Sequence, residues 1–367
     1  MNTADDHRLM ARALRLAAHG LYTTDPNPRV GCVLVKDGRI AGEGWHQFAG
    51  GPHAEINALA QAGCKAAGST AYVTLEPCCH QGRTPPCTQA LIKAGVQRVV
   101  YAMQDPNPQV AGAGAALLQS AGIEVQSGVL AEEAGRLNPG FALRMRSGRP
   151  WVRCKLAMSL DGRTAMASGE SQWITGAAAR ADVHRLRARS SAILTGIGTV
   201  LADDPSLTAR LADENETDIR QPLRVVLDSR LRLPLTARLL GLPGETLVFT
   251  GAGADAAQAH FGRDSVTVVT VPMQSGRLDL ATVLQELGSR EMNEVHVEAG
   301  ATLSGALLQA GLVDELVIYM APHLMGDAAR GLFALPGLEL MADRLQLAIT
   351  DIRAVGPDWR ITAIVEQ

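Results

Sequence analysis

Apolar positions in HRLMARALRLAAH (7–19) recur at helical spacing and stop at Gly20, so the pattern predicts a helix that ends there. VGCVLV (30–35) predicts a strand, and Lys36-Asp37-Gly38-Arg39 predicts a hairpin turn after it. The same reading places helices at about 53–62, 88–94 and 110–121, with strands at 70–75, 98–103 and 123–126. Strand and helix alternate, which predicts a partly parallel sheet covered on both faces. RMRSGRP (144–150) is polar and basic and carries Gly and Pro; a linker there divides the chain into 1–146 and 147–367. A second alternating series follows, with strands at about 151–157, 192–196, 223–228, 246–250, 266–271, 293–298 and 315–321. Helical patterns at 177–189, 279–288 and 302–310 complete a second α/β unit. DPNP occurs at 25–28 and 105–108, but a turn-forming string is no repeat by itself.

A chain of 367 residues accords with two domains, and 47% hydrophobic with 19% charged residues are ordinary globular values. No apolar run approaches the roughly 20 residues that cross a bilayer. MNTADDHRLMARALRLAA matches neither a signal peptide nor a transit sequence, so a cytoplasmic home is expected. Reducing surroundings disfavour disulfides and turn attention to metal binding or chemistry at clustered cysteines. Net charge is −3 with dispersed Lys and Arg, which is unsuited to nucleic-acid backbones and favours a small substrate.

LEPCCHQGRTPPC (75–87) holds three of the six cysteines, and GPHAEINALA (51–60) places His53 and Glu55 near a helix start. One His plus two Cys meets the count for a catalytic zinc, which keeps its fourth position for water. Glu55 stands two residues from the His, off the metal and placed to carry a proton from that water to a leaving amine. HAE followed by Pro77-Cys78 fits the H-x-E…P-C-x-x-C signature of zinc nucleobase deaminases, although eight residues separate Cys78 from Cys87 instead of two. Against this, HAE alone is an ordinary polar helix terminus and a lone cysteine usually packs as a small hydrophobe. Cys32, Cys64 and Cys154 read as structural, and of the adjacent pair Cys78 is assigned to zinc with Cys79 a bystander.

These strings resemble the bifunctional riboflavin-biosynthesis deaminase/reductase family over nearly the whole chain. The deaminase half is similar in PNPRVGCVLVKDGRIAGEGWH (26–46), GPHAEINAL (51–59), AYVTLEPC (71–78), GRTPPC (82–87) and MQDPNPQVAGAG (103–114). In that family the longer interval between the thiols is normal, and position 79 is usually serine, so Cys79 is a departure. The resemblance implies His53, Cys78 and Cys87 as Zn2+ ligands, Glu55 as proton shuttle, and a cytidine-deaminase-like α/β/α fold for this half.

In the second half NEVHVE (293–298) runs into AGATLSG, a strand–glycine loop–helix junction able to take phosphate, though it lacks the P-loop lysine and full dinucleotide spacing. Arg180, Arg185, Arg187 and Arg189 share one helical pattern; arginine suits phosphate, yet such a helix is usually a solvated face. KLAMSLDGRTA (155–165), SGESQWITG (168–176), TVLADDPSLT (199–208), RVVLDSR (224–230) and VEAGATLSGALL (297–308) resemble the reductase domain of the same family. The resemblance implies a dihydrofolate-reductase-like α/β fold and NADPH as donor. By the same resemblance the cofactor would meet Ala157, Trp173, Thr199, Asp203 and Ser229, with its phosphates at Gly300, Ala301, Thr302, Leu303, Ser304, Gly305 and Ala306. The pyrimidine ribosylamino phosphate would meet Ser171, Arg187, Leu207, Arg210 and Glu298. Lys155 and Asp203 are candidate general acids, and a homo-oligomer, dimer or tetramer, is expected. Two other readings compete: a nucleic-acid base deaminase with an accessory domain, against which the net acidity stands, and a zinc-stabilised binding protein whose coordination shell a fourth ligand such as Cys79 would close.

Overall fold

The computed structural model describes residues 3–80, 85–108, 110–211, 220–253, 259, 261–262 and 265–366. They fall into two compact units, Met1–Gly148 and Arg149–Gln367. Gly82, Arg83, Thr84 and Gln109, which belong to the strings quoted above, lie outside the described residues.

In the first unit the run at 30–35 is strand β1 (Gly31–Lys36), buried at every residue but the last. It turns through Asp37 and Gly38, both at positive φ, into antiparallel β2 (Arg39–Trp45). With β3 (Thr70–Leu75), β4 (Arg98–Met103) and β5 (Glu124–Ser127) the sheet order is β2-β1-β3-β4-β5, antiparallel between β1 and β3 and parallel from β3 to β5. Val33, Val35, Tyr72 and Val100 pack against Leu9, Met10 and Ala13 of α1 (Thr3–Ala18). Cys32, Leu34, Ala71 and Val73 pack on the other face against Ala54, Ala58 and Ala62 of α2 (Ala54–Ala62) and Leu91 of α3 (Cys87–Lys93). Both faces are covered, which is why these strands read as continuous apolar runs. A Cβ at Gly44 of β2 would stand 2.5 Å from the Ala54 carbonyl, so glycine lets the start of α2 lie directly on the sheet.

Helices α4 (Ala113–Ser120), α5 (Ala131–Leu137) and α6 (Pro139–Ser147) complete the unit. Most of the segment expected to be a linker is therefore helical. Pro139 opens α6 and Gly148, at φ 74°, ends it, while its polar surface residues gave it the composition of a connector.

The second unit holds a nine-stranded sheet of order β11-β10-β9-β8-β14-β6-β15-β18-β17. Its strands are β6 (Trp151–Ser159), β8 (Ala192–Gly196), β9 (Leu223–Leu227), β10 (Thr246–Thr250), β11 (Val266–Thr270), β14 (Glu294–Glu298), β15 (Glu315–Ala321), β17 (Leu347–Val355) and β18 (Asp358–Val365). Pairs from β11 to β15 are parallel, and β15, β18 and β17 are antiparallel. Two short ribbons join β7 (Arg163–Ala165) with β16 (Arg330–Gly331) and β12 (Met273–Gln274) with β13 (Arg277–Leu278). Among the described residues the α-helices include α7 (Ala177–Arg189), α8 (Ile197–Asp203), α9 (Leu280–Ser289) and α10 (Ala301–Gln309).

Val152, Cys154, Leu194, Val295, Val297 and Leu316 form one core with Val283 and Leu287 of α9 and Leu307 of α10. The opposite face of β14 carries Glu294, His296 and Glu298, of which the first two are buried and Glu298, at the strand end, is partly exposed. Arg153, 1% exposed, donates to Glu294 at 2.9 Å and Glu315 at 3.0 Å, and Arg189 of α7 reaches Glu294 at 3.3 Å. A ladder of paired charges thus lies inside the sheet, where the alternation of EVHVE would suggest a wet face.

The expected strands stop at 321, whereas β17 and β18 form a further hairpin. Leu347, Ile349 and Ile352 of edge strand β17 are 37%, 59% and 54% exposed, so its side chains show no inside–outside alternation of burial.

Candidate functional site

His53 is the N-cap of α2, Cys78 follows β3 in the chain, and Cys87 opens α3. His53 Nδ1 lies 3.2 Å from Cys87 Sγ and 3.6 Å from Cys78 Sγ, and the three ligand atoms fall within 4.8 Å of one another. Tetrahedral zinc, with sulfur at about 2.3 Å and nitrogen at about 2.0–2.1 Å, separates a sulfur and a nitrogen ligand by about 3.6 Å. The donor set fits zinc with a fourth position to spare. Cys79 is half-buried and stands outside the cluster, so the geometry separates the two adjacent thiols.

Contact between the two ligand sulfurs draws the Cys78 thiol down, and His53 adds to this; the same contact pushes Cys87 up. As zinc ligands both would be thiolates, the form that binds metal. Glu55 is 3% exposed in the first turn of α2, and burial pushes its carboxyl up, with the Cys78 charge adding to the shift. His46 Nδ1–H donates to the Pro52 carbonyl at 3.0 Å, leaving Nε2 to accept from Asn27 Nδ2 at 3.0 Å. Its ring stands edge-on to His53 at 5.3 Å, and burial lowers its pKa, so a neutral imidazole of fixed tautomer lines the site. Sequence reasoning assigned no role to Asn27 or His46, although both fall inside the 26–46 string; their signal was membership of that string and nothing more local.

In the second unit several of the expected residues stand at or just beyond the C-terminal ends of parallel strands, where ligands of α/β sheets bind. Ala157 is on β6, Thr199 and Asp203 are on α8 directly after β8, Ser229 follows β9, and Glu298 ends β14. Gly300 caps α10 without a side-chain hydrogen bond, so the first N–H groups of that helix are available to a phosphate. Ala301, Thr302, Leu303 and Ala306 are partly or fully exposed, whereas Ser304 and Gly305 are buried. A Cβ at Gly305 would stand 2.1 Å from the Ala334 carbonyl, so this glycine serves helix packing.

Arg187 does not present a free fork. Its Nη2 donates to Glu298 at 2.8 Å, Nε donates to the same carboxylate, and Nη1 donates to the Thr208 carbonyl at 3.0 Å. Burial alone would raise the Glu298 carboxyl, but Arg187 holds it well below the usual range. Arg210 is exposed, and its backbone N–H donates to His184 Nδ1 at 3.3 Å; Leu207, at φ 48°, is buried in the same loop. Trp173 is 70% exposed with the Arg180 guanidinium 4.7 Å above its ring, and Ser171 lies two residues before it. Lys155 is the register partner of Glu298, and burial lowers its ammonium pKa.

Comparison with known proteins bears on both units. Residues 3–103 match the cytidine and deoxycytidylate deaminase zinc-binding region, and residues 150–361 match the RibD C-terminal domain. Riboflavin biosynthesis protein RibD of Escherichia coli K12 is 56% identical over 361 residues, covering 96% of this chain and 97% of that one. The structure of Acinetobacter baumannii RibD, form 1, superposes with a TM-score of 0.92 at 49% identity, with both chains fully covered. The Thermotoga maritima diaminohydroxyphosphoribosylaminopyrimidine deaminase/5-amino-6-(5-phosphoribosylamino)uracil reductase gives 0.86 at 34% identity over 99% of each chain. Fold and site together define a two-part enzyme, a cytidine-deaminase-like unit followed by a reductase unit. The chain belongs to the RibD family of riboflavin biosynthesis proteins.

Proposed function

We propose that the chain performs two consecutive steps of riboflavin biosynthesis, with zinc and NADPH as cofactors. The first is hydrolytic deamination of 2,5-diamino-6-ribosylamino-4(3H)-pyrimidinone 5′-phosphate. Water adds its oxygen to the amine-bearing ring carbon, the C–N bond breaks and ammonia leaves. Zinc held by His53, Cys78 and Cys87 supplies the Lewis acidity that brings the pKa of water to about 7. Glu55 takes the proton from the water and returns it to the departing amine, a role suited to a buried carboxyl whose pKa is raised. His46 and His53 are held in place by backbone and side-chain partners, which fixes the site before substrate enters.

The second step reduces the ribosyl carbon of the deaminated product, in its open-chain form, to ribityl. NADPH supplies the hydride. The open N-terminus of α10 receives its phosphates, with Ala157, Trp173, Thr199, Asp203 and Ser229 around the rest of the cofactor. Ser171, Leu207 and Arg210 meet the substrate beside Glu298, whose carboxylate Arg187 holds in one orientation. Of the two candidate proton donors, Lys155 is favoured over the exposed Asp203 because its pKa is lowered and it stands next to Glu298.

The 1–146 portion carries the first activity and the 147–367 portion the second. Six free cysteines accord with a reducing cytoplasm, and among the described residues no helix is long and apolar enough to cross a membrane. Exposed Leu338, Leu340, Met341, Leu345, Ile349 and Ile352 support a homo-oligomer in which a second copy covers them.

The observation that carries the reading is the His53–Cys78–Cys87 cluster with buried Glu55 beside it. A coupled assay tests it. Chelation should stop ammonia release and zinc should restore it, while NADPH oxidation with the deaminated substrate continues throughout. Ammonia release that survives exhaustive chelation refutes the proposal.

A further inference from the structure

Among the acidic side chains near the metal cluster, Glu76 is 2% exposed and takes no part in the chemistry above. Its Oε2 accepts from the backbone N–H of Asp105 at 3.3 Å and of Gly112 at 3.0 Å, and its Oε1 accepts from Ala115 N–H at 3.0 Å. One carboxylate thus satisfies donors from the 105–112 loop and from the first turn of α4, two of which would otherwise be orphans of a helix start. The Glu76 backbone N–H is itself fixed on the Met103 carbonyl at 3.0 Å. Gly114 closes the joint, because a Cβ there would stand 2.1 Å from the Pro77 carbonyl.

Two residues on, Cys78 is framed from the other side. Its carbonyl accepts from Thr88 N–H and Thr88 Oγ1–H, each at 3.2 Å, and its sulfur accepts from Cys87 N–H at 3.4 Å. The start of α3 therefore grips Cys78 directly. On the α4 side the grip passes through Glu76 and Pro77, whose ring removes one backbone freedom between them.

We propose that Glu76 is a positioning residue for the metal centre: its carboxylate ties the Cys78 turn to the 105–115 segment and so sets where the Cys78 sulfur stands relative to His53 and Cys87. This rests on Cys78 being a zinc ligand. An ordinary helix cap would contribute to stability alone, whereas a positioning residue changes how tightly and in what geometry the folded protein holds metal. Partners just outside a metal's ligands typically contribute 10- to 100-fold in affinity.

The test uses the full chain and two metals. Zinc affinity is measured by competition with a chromophoric chelator, and ligand geometry by the absorption spectrum of the Co2+-substituted protein. Glu76→Gln keeps one acceptor oxygen and turns an amide NH2 toward a backbone donor. It should weaken zinc at least tenfold and alter the Co2+ spectrum, with NADPH oxidation by the second unit unchanged. Glu76→Ala, if it folds by circular dichroism, should be weaker still, and if it does not, Glu76→Gln decides. Glu76→Gln with zinc affinity within twofold of the parent and an unchanged Co2+ spectrum overturns the proposal, provided Cys78→Ser loses zinc. If Cys78→Ser retains zinc, the ligand assignment itself fails and the role of Glu76 falls with it.

Discussion

Replacing Arg153 with leucine would test the charge ladder beneath α7 most directly. The guanidinium is 1% exposed and bonds two carboxylates, Glu294 at 2.9 Å and Glu315 at 3.0 Å. Leucine removes the cation and leaves Glu294 fully buried and Glu315 mostly covered without it. Glu294 keeps Arg189, and Glu315 keeps the Trp151 indole N–H at 3.0 Å and the more distant charge of Arg189. Breaking a buried pair in this way costs about 3–5 kcal/mol. For a unit of this size each kcal/mol moves the melting point by about 2–4 °C, so a fall of about 6–20 °C is expected in the transition of the second unit.

The effect has a defined pH dependence. Burial pushes the Glu315 carboxyl up, but Arg153 more than reverses this and holds it below its ordinary value. A carboxylate with a lowered folded pKa contributes stability above its unfolded value, about 4.3, and that contribution is lost as pH falls through the folded value. In the leucine variant burial is opposed only by the weaker pull of Arg189 and the Trp151 N–H, so Glu315 protonates more readily and the variant recovers relative to wild type on acidification. Differential scanning calorimetry from pH 7 down to about 4 reads both effects. A loss under about 1 kcal/mol at pH 7, or a gap that does not narrow in acid, refutes the ladder as a set of mutually dependent charges.

Other substitutions separate the remaining roles. Glu55→Gln should lower deamination by at least about 100-fold while zinc content and NADPH oxidation stay at parental values, as measured by metal analysis and the two half-assays. Cys79→Ser should keep zinc and deaminase activity while Cys78→Ser loses both; equal loss from each would reassign the ligand. A fragment beginning at residue 149 should oxidise NADPH with the deaminated substrate and need no zinc, and a folded but inert fragment would show that the two activities are not separable.

The metal cluster was legible because its chemistry is tied to rare residue types at fixed places: a histidine before a helix, a cysteine after a strand, another opening a helix. Periodicity likewise found the strands of both sheets up to residue 321 except β2, to which only the hairpin turn at 36–39 pointed. What it could not supply was the fate of a polar face. EVHVE alternates as a half-wet strand would, yet Glu294 and His296 are buried and Glu298 is mostly covered; Arg153 of β6 and Arg189 of α7 pair with Glu294, and Arg187 of α7 pairs with Glu298. Arg187, expected at the substrate, has its Nε and Nη2 engaged by Glu298 and its Nη1 by the Thr208 carbonyl, partners that its helical pattern could not reveal. The helix ending at Ser147 was missed because a short amphipathic helix with an arginine-rich outer face has the composition of a connector. The edge strand β17 lacks the one-sided burial on which a strand assignment depends.

That edge strand has a practical consequence. Its outer rim offers backbone donors and acceptors to any extended chain, and its greasy side chains favour an equally greasy newcomer. A lysine introduced at Ile349, one of the side chains a second copy is proposed to cover, should therefore shift the protein toward smaller species on dilution without touching either centre of chemistry.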